Sequence, residues 1–257
     1  MKLLYALPAI PVALYATRTW GPTARALAWW ETRRPFVLGY LRSGPAVVTY
    51  AVVLFITTTI YEESGTKVQA ALLQERSTNL HHLARDPIHV LISSAFWTGD
   101  DSLIKDFILF ALILIPLERW IGTLRFLLVF WTGHIGTTLV VDLAIRIAID
   151  RGHAAPNLAH VIDVGVSYGL YCCCALFIYR FRPPLRALGM GGLLVYAGYG
   201  IRTVGDFTAY GHFFTILLGF ALYPVTRFAG AKTRLAEPIW RPTASTLSPS
   251  PSPSAAD

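Results

Sequence analysis

The stretch IDVGVSYGLYCCCALFIY, residues 162–179, is apolar over nearly its whole length and carries a single carboxylate, Asp163, near its start. It approaches the roughly 20 residues that a helix needs to cross the hydrocarbon core of a bilayer. On either side of it the chain repeats the pattern, with apolar runs at 44–61, 103–117, 126–145, 187–201 and 211–225. Several are short for a lone span, which fits a packed bundle whose neighbours shield the helix ends. With 54% hydrophobic and 14% charged residues over 257 positions, the chain has too little charge to coat a soluble globule of this size. The expected fold class is therefore an all-α polytopic membrane protein, a bundle of six transmembrane helices with the lipid bilayer as its solvent. The net charge of +7 does not point to nucleic acid, because the basic residues lie in short runs between apolar segments.

Three regions follow from this pattern. Residues 1–43 form an N-terminal segment, 44–227 the transmembrane domain, and 228–257 a cytoplasmic tail whose end, 244–257, is rich in Ser and Pro and expected to be disordered. The run 3–15 is broken by Pro8 and Pro11 and is too short to span. With Met1 and Lys2 before it and Ala16 after, it also has the outline of a cleavable leader. The stretch with Trp20, Trp29 and Trp30 among Arg18, Arg25, Arg33 and Arg34 reads as a helix lying on an anionic inner leaflet. Between the first two spans, residues 62–101 make a polar loop long enough to be a functional element, and Asp86-Pro87 before an apolar run suggests short helices against the membrane. Orientation comes from Lys and Arg in the short connections: Arg119 and Arg125, Arg180, Arg182 and Arg186, and Arg227, Lys232 and Arg234 all fall on one side. That places both termini in the cytoplasm of a multi-pass protein of the cell membrane.

Ionisable groups inside spans are costly and mark candidate sites. They are Lys105, Asp106, His134, Asp142, Arg146, Asp163 and His212. Asp142 and Arg146, one turn apart, are expected to pair with each other. The adjacent Cys172, Cys173 and Cys174 point in different directions on one helix, which suits packing and not a metal site; neither a metal nor a cofactor is expected. Ser167 lies about five residues into the fourth span, roughly 8 Å from its end at 1.5 Å per residue, and His212 in the first turn or two of the sixth. Both spans enter from the same side, so a nucleophile and a base stand at matched depth. Gly165 and Gly169 form a small-xxx-small face, and Gly211 and Gly219 are candidates for the face opposite. Gly165 to Gly169 also matches a G-x-S-x-G nucleophile elbow, but the strand that motif requires has no place inside a hydrophobic span.

Over residues 87–227 the chain resembles the rhomboid family of intramembrane serine proteases. Glu118, Arg119 and Gly122 stand as its Glu-Arg-x-x-Gly element, Gly165 and Ser167 as its Gly-x-Ser, and His212 as the histidine opening the sixth span. The string Asp-Val-Gly-Val-Ser-Tyr-Gly is similar to that of a divergent rhomboid-like branch in high-GC actinobacteria. The resemblance implies a Ser167–His212 dyad, and transmembrane proteins as substrates or, where cleavage is lost, as clients. It also marks departures. Tyr168 follows the serine where the family has glycine, and Ser102 and Asp106 occupy the positions of a histidine and an asparagine that help to bind the oxyanion. Ile88-His89 replaces the Trp-Arg of the external loop. An ionised Asp106 cannot donate a hydrogen bond to developing negative charge. Protonation of Asp106, donation by Ser102 together with the Ser167 amide, or a turn of His134 towards the site would each restore a donor.

Overall fold

The computed structural model describes residues 9–98, 103–235 and 237–240, so Ser102 and the Ser/Pro-rich end lie outside the described residues. It divides into two compact units, Gly44–Glu237 and a terminal unit of Met1–Ser43 with Pro238–Asp257. The terminal unit contains α1 (Ala9–Ala16) and α2 (Gly21–Arg42). Pro22 opens α2, where its missing N–H costs nothing. Trp29 and Trp30 are exposed, with Arg33 5.8 Å above the Trp29 ring.

The larger unit begins with α3 (Pro45–Glu63) and a loop of three short helices, α4 (Thr66–Arg76), α5 (Leu80–Arg85) and α6 (Pro87–Ser93). Local chemistry sets the loop's helix starts: the Asn79 side chain accepts from the His82 amide at 3.0 Å and Asp86 from the His89 amide at 3.4 Å, with Pro87 at the first helical position. The second apolar run is α7 (Leu103–Leu109), a π-helical turn (Phe110–Leu114) and α8 (Ile115–Ile121). Pro116 has no N–H and crowds the preceding turn, which accounts for the widened turn just before it. Then follow α9 (Thr123–Asp150), α10 (Ser167–Phe177) with a 3₁₀ turn (Ile178–Arg180), α11 (Pro183–Thr203), α12 (Phe207–Ala221) and α13 (Ala229–Arg234). Among the described residues there is no strand. Each of the six apolar runs falls on a helical segment, and two of them, α3 and α9, are long and apolar enough to cross a membrane.

The core forms around α10, which packs most extensively against α12 and α9. Its residues from Tyr168 to Phe177 are buried except the half-buried Tyr171, as a helix apolar on all sides must be. Small residues let its neighbours approach. A Cβ on Gly133 of α9 would lie 2.3 Å from Cys172 Cβ, and one on Gly219 of α12 would lie 2.4 Å from the Cys172 carbonyl oxygen. Gly169 is equally tight, at 2.6 Å from the Phe130 ring, so its close neighbour is α9. The three cysteines are free and buried.

A buried carboxylate ties α3 to α8. Pro45 leaves the Ala46 and Val47 amides at the start of α3 without helical partners, and α3 has no side-chain cap of its own. Glu118, on α8, supplies one: its Oε1 accepts from the Ala46 amide at 3.0 Å and its Oε2 from the Val47 amide at 2.9 Å. Thr123 Oγ1 donates to Oε1 at 2.7 Å. Negative charge at a helix N-terminus is also favoured by the helix dipole. Gly122, with φ +86°, makes the sharp turn between α8 and α9 in a conformation that side chains resist.

Two expectations are corrected. Asp142 does not pair with Arg146: it faces the core, 5% exposed and with Oδ2 unpartnered, while Arg146 lies on the outer surface near Asp150 at 3.9 Å. The segment from Phe228 to Leu235, read as tail, packs on the bundle: Ala231 is buried, Trp120 Nε1 donates to its carbonyl at 3.1 Å, and Arg234 donates to the Arg119 carbonyl at 3.2 Å.

Candidate active site

The chain leading into α10 is non-helical and held from the side. Thr78 donates through its amide (3.0 Å) and its hydroxyl (3.1 Å) to the Asp163 carbonyl. Ser77 Oγ accepts from the Asp163 amide at 2.8 Å and donates to the Val161 carbonyl at 3.2 Å. Two residues on, the Gly165 amide donates to the Ser94 carbonyl at 2.9 Å. The long polar loop thus fastens the approach to Ser167.

Gly165 stands at φ +134°, and a Cβ there would meet nothing within 4 Å. Its requirement is conformational, and it does not form the helix contact expected of it together with Gly169. The turn it makes starts α10 at Ser167, five residues later than the apolar run begins. Ser167 therefore occupies the first position of its helix. No side chain caps that end, and among the described residues the amides of Ser167, Tyr168 and Gly169 donate no hydrogen bond. Open amides at a helix N-terminus are donors ready for negative charge.

His212 lies on α12, whose start is set by Asp206, the cap that accepts from the Ala209 amide at 2.8 Å. Its imidazole is packed by two tyrosines of α10, both edge-on: Tyr171 at 4.7 Å and 64°, and Tyr168 at 5.6 Å and 70° between ring centres. The Tyr171 and Tyr196 hydroxyls are hydrogen-bonded at 2.8 Å, which fixes the nearer ring. His212 Nε2 is buried and has no hydrogen-bond partner. Ser167 Oγ makes no hydrogen bond among the described residues, so serine and histidine share a neighbourhood without being joined.

Tyr168 is 3% exposed and its ring fills the space beside Gly211, where a Cβ would come within 2.6 Å of it. Its carbonyl accepts from Thr215 Oγ1 at 2.9 Å, tying α10 to α12, while its hydroxyl is buried without a partner. Asp106 is buried near the start of α7 and acts electrostatically on Tyr171 and Tyr50. His134 serves the long polar loop: its Nε2 is 3.1 Å from both Ser94 Oγ and the Leu91 carbonyl. A carbonyl only accepts, so Nε2 carries the proton. His134 thus holds the residue whose carbonyl anchors Gly165 and stands one step removed from the serine. His89, with Ile88 in place of the family's Trp-Arg, binds Arg76 through Nε2 at 2.6 Å.

Sequence spacing picked out Ser167 and His212 and the family resemblance Tyr168, but neither found Tyr171, Ser77, Thr78 or Ser94. Tyr171 is one turn beyond Ser167, a spacing that could have shown it sharing that face. Nothing local marks the loop residues. Among the described residues no group of three His, Cys, Asp or Glu is placed to hold a metal ion.

No curated protein and no solved structure matches the chain. The family model for rhomboid-like proteins matches residues 39–232, well over half of the chain and all of the elements that build this site. The chain belongs to the rhomboid-like protein family.

Proposed function

We propose that this rhomboid-like membrane protein is an intramembrane serine protease of six spans. In this reading it sits in the cell membrane with both termini in the cytoplasm and cleaves transmembrane substrates near the outer leaflet. Ser167 is the nucleophile and His212 the general base. One observation carries the reading: His212 Nε2 is buried, oriented by Tyr168 and Tyr171 beside the first turn of the serine's helix, and unpartnered. Leaving such an atom unpaired costs about 1–3 kcal/mol, which a base reserved for the serine proton explains. Ser167 Oγ attacks the scissile carbonyl carbon as its proton passes to Nε2. The open amides of the first turn of α10 receive the oxyanion, and His212 returns the proton to the leaving amine. The resulting acyl-serine is hydrolysed by water.

A second reading, a rhomboid-like protein that binds or escorts transmembrane helices without cutting them, is favoured by the buried Asp106 and by the absence of a hydrogen bond from Ser167 Oγ to His212. Reconstitution with single-span model substrates separates the two. Cleavage by the wild type that disappears in Ser167→Ala supports the protease. Substrate association without cleavage in either protein supports the escort.

A further inference from the structure

Between α11 and α12 lies a cavity of about 370 Å³ with His212 among its lining residues. Tyr196, Tyr199, Thr203, Asp206 and Thr208 also line it. It lies at the end of α12 where Asp206 caps the helix. Asp206 makes its capping bond through Oδ1, and among the described residues neither oxygen pairs with Lys or Arg. Asp163 and Asp206 both act electrostatically on the Tyr168 hydroxyl, so the carboxylates near this end are not confined to one residue. Lys105 acts electrostatically on His212 from the same side. Tyr196 and Tyr199 give the cavity aromatic walls, and an aromatic face attracts a cation. The outward surface of α11 is apolar: Leu188 is 73% and Val195 72% exposed, as befits a face towards lipid. A ligand that comes from the lipid side and satisfies a carboxylate and two tyrosines has an apolar body and a cationic tip. A Lys or Arg near the end of a membrane-spanning helix has that form, because its stem lies along apolar surface while the charge reaches for the interface.

We propose that this cavity binds the Lys or Arg side chain of a transmembrane segment, held near its membrane-interface end, so that the basic residue registers the segment beside Ser167. The proposal deepens the functional reading above and rests on transmembrane segments being what the site receives. Asp206→Asn is the informative variant, because asparagine caps a helix as well as aspartate does but carries no charge.

The test uses the full chain with Ser167→Ala, so that no cleavage intervenes, in nanodiscs of phosphatidylglycerol. Fluorescent single-span peptides carry Arg, Gln or Glu at the residue next to the apolar stretch. The Arg peptide is expected to bind about tenfold more tightly than the Gln peptide, a modest share of what one unscreened charge pair provides. The Glu peptide is expected to bind most weakly, and Asp206→Asn to erase the Arg preference. Equal binding of Arg and Gln peptides, absence of binding by all three, or a preference that survives Asp206→Asn overturns the proposal. So does loss of the preference when phosphatidylethanolamine is added to the discs, because the occupant is then a lipid ammonium. Labelling of wild-type Ser167 by a fluorophosphonate is read separately. Labelling without an Arg preference removes the cavity assignment alone, and an Arg preference without labelling removes the protease alone.

Discussion

Gly211 and Gly219 lie two turns apart on α12, and an added methyl group meets different obstacles at each. At Gly211 the obstacle is the Tyr168 ring, at 2.6 Å; at Gly219 it is backbone, the Cys172 carbonyl at 2.4 Å. A ring can be trimmed and a backbone cannot. Gly219→Ala is expected to cost about 1–3 kcal/mol in any background, read as a lower thermal midpoint in detergent. Gly211→Ala is expected to cost a similar amount alone and much less on top of Tyr168→Ala, a coupling that a double-mutant cycle measures. Additive losses at Gly211 would show that Tyr168 does not occupy the space described. The importance of these glycines was legible from their spacing. The different reason for Gly165 was not, because a φ of +134° is imposed by the bond from its amide to Ser94, far away in the chain.

The joint between α3 and α8 turns on Glu118, whose carboxylate serves three donors at once. Glu118→Ala strands the Ala46 and Val47 amides and the Thr123 hydroxyl, at about 1–3 kcal/mol for each buried group left unpaired. A substantial fall in thermal midpoint is expected, with Glu118→Gln in between because its amide oxygen still accepts. Equal midpoints for the wild type and the alanine variant would contradict the joint. The sequence marked Glu118 only through family resemblance, since no local rule pairs it with amides more than 70 positions away. The long polar loop shows the same division. Asp86-Pro87 announced a helix start by local chemistry, whereas the grip of Ser77 and Thr78 on the approach to Ser167 depends on residues more than 80 positions distant.

In the larger unit, apolar run length was enough to place the helical segments, because burial of apolar side chains selects for it. The ends of the segments were less legible. The fourth run starts its helix late because the loop holds the residues before Ser167 in a non-helical path, and the bundle extends past Arg227 because Trp120 and Arg180 donate to the chain there and Arg234 donates back to the Arg119 carbonyl. A chain ending at Glu237 is therefore expected to melt like the full-length protein, and one ending at Gly230 to melt lower, having lost the buried Ala231. The most direct measurement of the central assignment is covalent labelling of the detergent-solubilised protein by a fluorophosphonate, with the modified residue mapped by mass spectrometry. The assignment predicts an adduct on Ser167, lost in Ser167→Ala and His212→Ala, weakening as acid protonates the base, and undiminished or stronger in Asp106→Asn, where an amide supplies the donor a carboxylate lacks. No Ser167 adduct in either the wild type or Asp106→Asn, or an adduct that persists without His212, would contradict it.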